Sequence, residues 1–299
     1  MNLRSAGVPW LQARHVVGIA ISIAGLFAAC HLGWRAIAAA DPRVSSAVAA
    51  GAIAALATAL GTLPVALAQR FSERARDAML GFGAGVMLAA VAFSLIVPGL
   101  AAARVQGASA FGAGGIVGAG ILIGAALLLL LEARVPHEHF IKGREHAQAG
   151  ARVLKRTWLF VFAILLHNLP EGLAIGVGFG GTDAAAASML ATGIAIQDVP
   201  EGLVVALALR GAGYGRGLSV GVGAGSGLIE PVGALLGALV VTAAAALLPW
   251  GLAFAAGAML FVISHEIIPE SHRAGHERFA TAGLVLGFVL MMVLDTSLG

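Results

Sequence analysis

The chain has few charged residues and almost no cysteine. Charged side chains make up 11% of its 299 residues, whereas soluble globular domains carry about 25%. This scarcity excludes a soluble globular protein. The single cysteine, Cys30, excludes an internal disulfide framework and any metal site built from several thiolates.

Apolar residues take the place of the missing charges, at 59% of the chain. They form separate runs of roughly 20 residues, the length that an α-helix needs to cross a hydrocarbon core about 30 Å thick. The sequence therefore predicts an all-α polytopic membrane protein. Its nine predicted spans have approximate limits of 16–40, 46–69, 78–100, 114–132, 158–180, 185–209, 217–246, 249–269 and 280–298.

The 18 lysines and arginines predict the orientation. If the N-terminus is cytoplasmic, all of them except Arg35, Arg43 and Arg104 lie at the inner side of the membrane. Because basic residues are enriched in cytoplasmic loops, we expect the N-terminus inside and the C-terminus outside a cell inner membrane. Membrane topology then explains the excess of basic residues, and no nucleic-acid partner is needed to account for it.

The chain divides into an extra N-terminal helix, residues 1–45, and a core, residues 46–299. The apolar run from Val16 to Ala29, followed by Cys30, also fits a signal peptide. We expect a retained helix, because apolar character resumes after Trp34.

One predicted cytoplasmic loop, residues 133–157, is longer and more polar than the others. It contains His137, His139 and His146. Clustered histidines can collect metal ions, and a solvated connector is an equally good interpretation of this loop.

Four acidic residues lie near the middle of the fifth, sixth and seventh spans: Glu171, Asp198, Glu201 and Glu230. Each charge inside a membrane costs about 2.5–3.5 kcal/mol on insertion scales. No lysine or arginine occurs within those three spans. Protons or a cation from outside must therefore neutralise the carboxylates.

The spacing of these residues predicts a site. "HNLPEG" places His167 and Asn168 four and three residues before Glu171, and "QDVPEG" places Asp198 three residues before Glu201. Residues at these separations share a helix face, and the two antiparallel spans can bring both motifs to the same depth. Imidazole, carboxylate and amide ligands without thiolate suit Zn²⁺ first, with Cd²⁺, Fe²⁺ or Mn²⁺ as further candidates.

The paired motifs, with "GLIEP" and "SHEIIPE" after them, resemble the ZIP (Zrt/Irt-like protein) family of divalent metal transporters, bacterial branch, over about residues 46 to 299. The resemblance implies an eight-helix core with a 3+2+3 inverted repeat and a binuclear metal centre with bridging glutamates. It assigns one metal to His167, Glu171, Gln197, Glu201 and Met87, and the other to Asn168, Glu171, Asp198, Glu201 and Glu230.

Gln197 and Glu201 replace histidines of many family members, so metal preference does not carry over. His265 and Glu266 are weaker candidates, on a cytoplasmic exit path. No enzyme activity and no cofactor are expected; the partners are divalent metal ions and the lipid bilayer, and homodimerisation stays open.

The predicted function is zinc uptake toward the cytoplasm by alternating access. We expect the second, fifth, sixth and seventh spans to shift as a unit against the third, fourth, eighth and ninth. A selective divalent-cation channel is the main alternative, since it would also need carboxylates in the membrane. An intramembrane zinc hydrolase is weaker, because "HEIIP" at residues 265–269 lacks the second histidine of an H-E-x-x-H motif.

Overall fold

The computed structural model describes residues 41–67, 72–134 and 149–298, with isolated positions between residues 25 and 39. Most of the predicted first span lies outside the described residues. The three histidines of the 133–157 loop lie outside them as well. The predicted separation of residues 1–45 from the core therefore stays a prediction.

The described residues are mostly helical, joined by short turns, and include no strand. Seven of the helical segments are long and apolar enough to cross a membrane, by length and composition. The all-α polytopic prediction is thereby confirmed. These seven correspond to the predicted second, third, fourth, sixth, seventh, eighth and ninth spans: Pro42–Ala66, Glu73–Val105, Ala110–Arg134, Ala184–Gly211, Arg216–Ala243, Ala245–Ser271 and Glu277–Leu298. The helix Ala149–Gly180 covers the predicted fifth span.

Polar residues fix where several spans begin. The side chains of Asp41, Ser72 and Asp183 each accept a hydrogen bond from a backbone N–H of the following first turn, which satisfies a group that the helix itself leaves unpaired. The hydrogen bonds from Arg43 also hold the pKa of Asp41 below its usual range. The second and third spans consequently begin four and five residues before their predicted limits.

Three spans contain irregular helix. The third and eighth include π-helical segments, Ala90–Ile96 and Ile263–Ile267, each followed within two residues by a proline. The seventh changes to a short 3₁₀ turn at Gly227–Ile229 and resumes as α-helix at Glu230. Such interruptions within a membrane leave backbone groups for other partners.

The second, fifth, sixth and seventh spans pack together, and we call them the motif bundle. Glycines allow their backbones to touch. An added Cβ at Gly172 would overlap the backbone of Glu230, and one at Gly202 would overlap the backbone of Thr58. At the predicted outer end, Arg43 donates to the carbonyl of Gly180 at 2.9 Å and so joins the second span to the fifth.

The third, fourth, eighth and ninth spans form the support bundle. The third packs most extensively on the ninth, and the fourth on the eighth. Near the N-terminal end of the third span, buried Asp77 lies 3.1 Å from the ring of His276. The two bundles meet mainly where the fifth span touches the eighth and the third touches the sixth.

Candidate metal centre

The two motifs lie on continuous helices. The fifth span passes through Pro170 and the sixth through Pro200 without a break. Asn168 and Glu171 are 1% exposed on the fifth span. On the sixth span Gln197, Asp198 and Glu201 are also buried, the last at 5% exposure. These polar side chains of the two motifs are therefore buried in the protein interior.

Three carboxylates converge there. Glu171, Asp198 and Glu201 each offer one oxygen, and these three oxygens lie within 4.8 Å of one another. The Asp198 carboxylate also faces that of Glu230 on the seventh span. A cluster of negative charge in a buried site attracts a divalent cation strongly, because little solvent screens it.

Amide groups contact two of the carboxylates. Gln197 donates its side-chain N–H to Oε1 of Glu171 over a short distance. Its own Oε1 accepts no hydrogen bond from the described residues, and neither does either oxygen of Asp198. Buried oxygens of this kind are suited to coordinate a cation.

The interruption of the seventh span orients Asn168. The amide nitrogen of Asn168 donates to the backbone carbonyl of Ser226, at 3.1 Å, and reaches Oε1 of Glu230 at 3.5 Å. Because only the NH₂ end can donate to a carbonyl, the oxygen end is directed away from Ser226. That oxygen, Oδ1, accepts no hydrogen bond from the described residues.

Thr58 is a polar residue of this region that the sequence reasoning missed. It lies fully buried on the second span and donates its hydroxyl hydrogen to Oε1 of Glu230 at 3.1 Å. Ser226 was missed too, because its contribution is a backbone carbonyl. A single threonine in an apolar helix carries no signal of its own, since threonines commonly bond to their own helix backbone.

The other predicted site residues lie as follows. The side chain of His167 is outside the described part of the structure. Met87 is 3% exposed, within the main apolar core. His265 and Glu266 belong to the π-helical segment of the eighth span, with the His265 ring stacked on Phe261 at 5.1 Å. Neither joins the described carboxylate cluster. Ligand roles for these four residues stay predictions.

A cavity of about 480 Å³ lies between the two bundles, toward the predicted outer side. The third and eighth spans line one wall, including Ser94, Gln106 and Leu252. The fifth and sixth spans line the other, including Asp183 and Leu190. The four mid-membrane carboxylates are not among the lining residues. The described structure therefore separates them from this cavity.

Comparison with known proteins shows similarity to zinc transporters. Residues 132–295 match the family described as ZIP Zinc transporter. The chain is 50% identical over 256 residues to the zinc transporter ZIPB of Bordetella bronchiseptica, covering 86% of this chain and 82% of that one. It is 46% identical over 256 residues to the zinc transporter GufA of Myxococcus xanthus, covering 86% of this chain and all of that one.

A further relative is the zinc transporter ZupT of Corynebacterium glutamicum, 34% identical over 251 residues, or 80% of this chain and 94% of that one. These identities extend over most of each pair of chains, and this chain also has buried carboxylates in its paired motifs. The chain belongs to the ZIP family of zinc transporters.

Proposed function

We propose that this protein carries Zn²⁺ into the cytoplasm through the buried centre on its fifth, sixth and seventh spans. The convergence of Glu171, Asp198 and Glu201, with oxygens within 4.8 Å of one another, is the observation that carries the proposal. Three carboxylates at this depth are costly without a cation. Zn²⁺ is the transported substrate, and the chain is a transporter and not an enzyme.

The centre holds two metal ions in this proposal. Met87, His167, Glu171, Gln197 and Glu201 bind the first. The second is bound by Asn168, Asp198 and Glu230 together with the same two glutamates. The side-chain oxygens of Gln197 and Asn168 accept no hydrogen bond from described residues. They support this division, because the two amide groups contact different carboxylates, Glu171 and Glu230.

The core is an inverted repeat in which the second, third and fourth spans correspond to the seventh, eighth and ninth, and the fifth to the sixth. Under this correspondence, the contact between the third and ninth spans is equivalent to the contact between the eighth and fourth. The contact between the second and sixth spans is equivalent to the contact between the seventh and fifth. All four are extensive contacts of the described chain, and the π-helical segments fall on corresponding spans, which supports the proposed symmetry.

The protein works by alternating access, with the motif bundle moving against the support bundle. Two observations support this mechanism: the closest glycine contacts to backbone atoms of another helix lie within the bundles, and the outer cavity lies between them. The burial of the carboxylates away from that cavity favours a carrier over a channel, because a channel needs a continuous path. The basic residues favour an inward N-terminus.

Flux measurements in sealed vesicles test the proposal. Purified protein in liposomes that contain a zinc-sensitive dye should give uptake that saturates with zinc concentration. A carrier should show no conductance of monovalent ions. Flux that rises without saturation and passes many cations would identify a channel instead.

A further inference from the structure

The hydroxyl of Thr58 touches the proposed centre from the second span, which contributes no predicted ligand. Thr58 is 172 residues away from Glu230 in the sequence, and its Oγ1 lies 3.1 Å from Oε1 of that carboxylate. The hydroxyl also lies 3.3 Å from the carbonyl of Ala54, one turn earlier. A hydroxyl has one hydrogen to donate. The carboxylate takes it, because it is the nearer and, when ionised, the stronger acceptor.

Neighbouring glycines make room for this contact. An added Cβ at Gly227 would lie 2.8 Å from Oγ1 of Thr58, and one at Gly202 would overlap its backbone carbonyl. Thr58 thus lies between the sixth span and the 3₁₀ turn of the seventh, directly before Glu230. The hydroxyl is held at the point where the seventh span resumes its α-helix.

Two donors meet on the same oxygen of Glu230. Thr58 and Asn168 both reach Oε1, at 3.1 and 3.5 Å, so a metal ion is left to coordinate Oε2. One oxygen from each of the five proposed ligand residues keeps the ligand number near the four that Zn²⁺ prefers. Ca²⁺ takes six to eight oxygens and commonly uses both oxygens of a carboxylate.

We propose that Thr58 is a positioning residue for the second metal. Its hydroxyl fixes the rotation of the Glu230 carboxylate and keeps it to one-oxygen coordination. Thr58 thereby sets the zinc affinity of that position and disfavours larger cations. The inference rests on the proposed binuclear centre.

Thr58→Val removes the hydroxyl at nearly constant volume, and zinc binding by the purified full chain measures the effect. Because hydrogen bonds to charged groups are stronger than neutral ones, one of two zinc-binding events should weaken by about tenfold or more, while the other stays unchanged. Tenfold corresponds to about 1.4 kcal/mol. The ratio of zinc to calcium affinity should fall, and Thr58→Ser should restore both values.

Thr62→Val is the matched control. Thr62 is buried one turn later on the same span, and its hydroxyl donates to the carbonyl of Ala59. This variant should bind zinc as the original chain does. Thr58→Ala gives a second hydroxyl-free variant in case Thr58→Val does not fold.

A double-mutant comparison separates positioning from a general structural effect. In a Glu230→Ala background, Thr58→Val should cause no further loss of zinc affinity. Equal affinities for Thr58→Val and the original chain, or an equal loss with and without Glu230, would overturn the role of Thr58. If the original chain binds only one zinc ion, the binuclear centre itself is wrong.

Discussion

Glu171 lies among several polar groups of the centre. Its carboxylate accepts a hydrogen bond from Gln197 and lies beside the carboxylates of Asp198 and Glu201. Glu201 occupies the related position in the second motif. In the proposed centre each of these glutamates serves both metal ions, so losing either one affects the whole site.

Replacing Glu171 or Glu201 by alanine should therefore abolish zinc uptake. Replacement by glutamine should be nearly as damaging, because it keeps the shape but removes the charge. A hundredfold loss of affinity corresponds to about 2.7 kcal/mol, within the range expected when a charged partner is removed. Zinc uptake into vesicles, corrected for the amount of inserted protein, measures the loss.

Glu73 supplies the control for these substitutions. It is exposed in the first turn of the third span, outside the carboxylate cluster. Glu73→Ala and Glu73→Gln should leave uptake near the original rate. Near-normal uptake by either the Glu171 or the Glu201 alanine variant would contradict the bridging role.

The carboxylates also predict how zinc binding depends on pH. Carboxylate ligands must be deprotonated to coordinate a metal, so zinc and protons compete for the same oxygens. Zinc affinity should fall as the pH falls, and binding should release protons. Calorimetry in buffers of different ionisation enthalpy detects that release, and a binding heat independent of the buffer would contradict the competition.

The sequence was sufficient to predict the carboxylate cluster but not the groups that orient it. Asp198 and Glu201 are three residues apart on one helix, so local geometry alone puts them together. Thr58 could not be found in this way, because its contact with Glu230 depends on how the second and seventh spans pack. The orientation of Asn168 depends likewise on how the fifth and seventh spans pack, because its partner is the backbone carbonyl of Ser226.

At the scale of helices, the contact between the fifth and seventh spans decides where Glu230 lies. An added Cβ at Gly172 would be 2.8 Å from the Cα of Glu230, closer than nonbonded carbon atoms normally approach. Glycine is needed here for close approach and not for an unusual backbone angle, since Gly172 lies within regular helix.

Gly172→Ala should therefore push the seventh span away and displace the Glu230 carboxylate. Overpacking of this kind typically costs about 1–3 kcal/mol. We expect a lower melting temperature in detergent and a large loss of zinc uptake. Both are measured on the same purified protein.

Gly221→Ala is the comparison that isolates packing. Gly221 lies in the α-helical first half of the seventh span, and no described atom lies within 4 Å of an added Cβ. Alanine favours a helix over glycine by up to about 1 kcal/mol, so this variant should be as stable as the original chain or more so. Equal behaviour of the two variants would contradict the close contact at Gly172.

The presence of a helix was easier to predict from the sequence than the position at which a helix is interrupted. The apolar runs gave the second to ninth spans, but Pro170 and Pro200 leave their helices unbroken, whereas the seventh span changes to a 3₁₀ turn before Glu230. A proline within a membrane helix is tolerated when neighbouring groups satisfy the freed carbonyl. That condition depends on tertiary contacts, which the sequence pattern does not contain.

At the scale of the whole molecule, the two bundles meet through apolar side chains. On one part of this boundary Met79 of the third span packs against a cluster that includes Leu203 and Ala206 of the sixth. A sliding motion of the motif bundle would change the distance between these residues. Within the support bundle, by contrast, Phe93 and Phe288 keep their rings together, with centroids 6.0 Å apart.

Cysteines at Met79 and Ala206, placed in a Cys30→Ala background, should therefore trap the protein when joined by a short bismaleimide. The linker reacts irreversibly and leaves no thiolate to bind zinc. We expect crosslinking to stop zinc uptake, and the yield to differ between zinc-loaded and zinc-free protein, because the bundles occupy different relative positions. The same linker between cysteines at Phe93 and Phe288 should form equally in both conditions and leave uptake unchanged, since both residues belong to one bundle. Full uptake by the crosslinked Met79–Ala206 protein would show that this boundary does not move during transport.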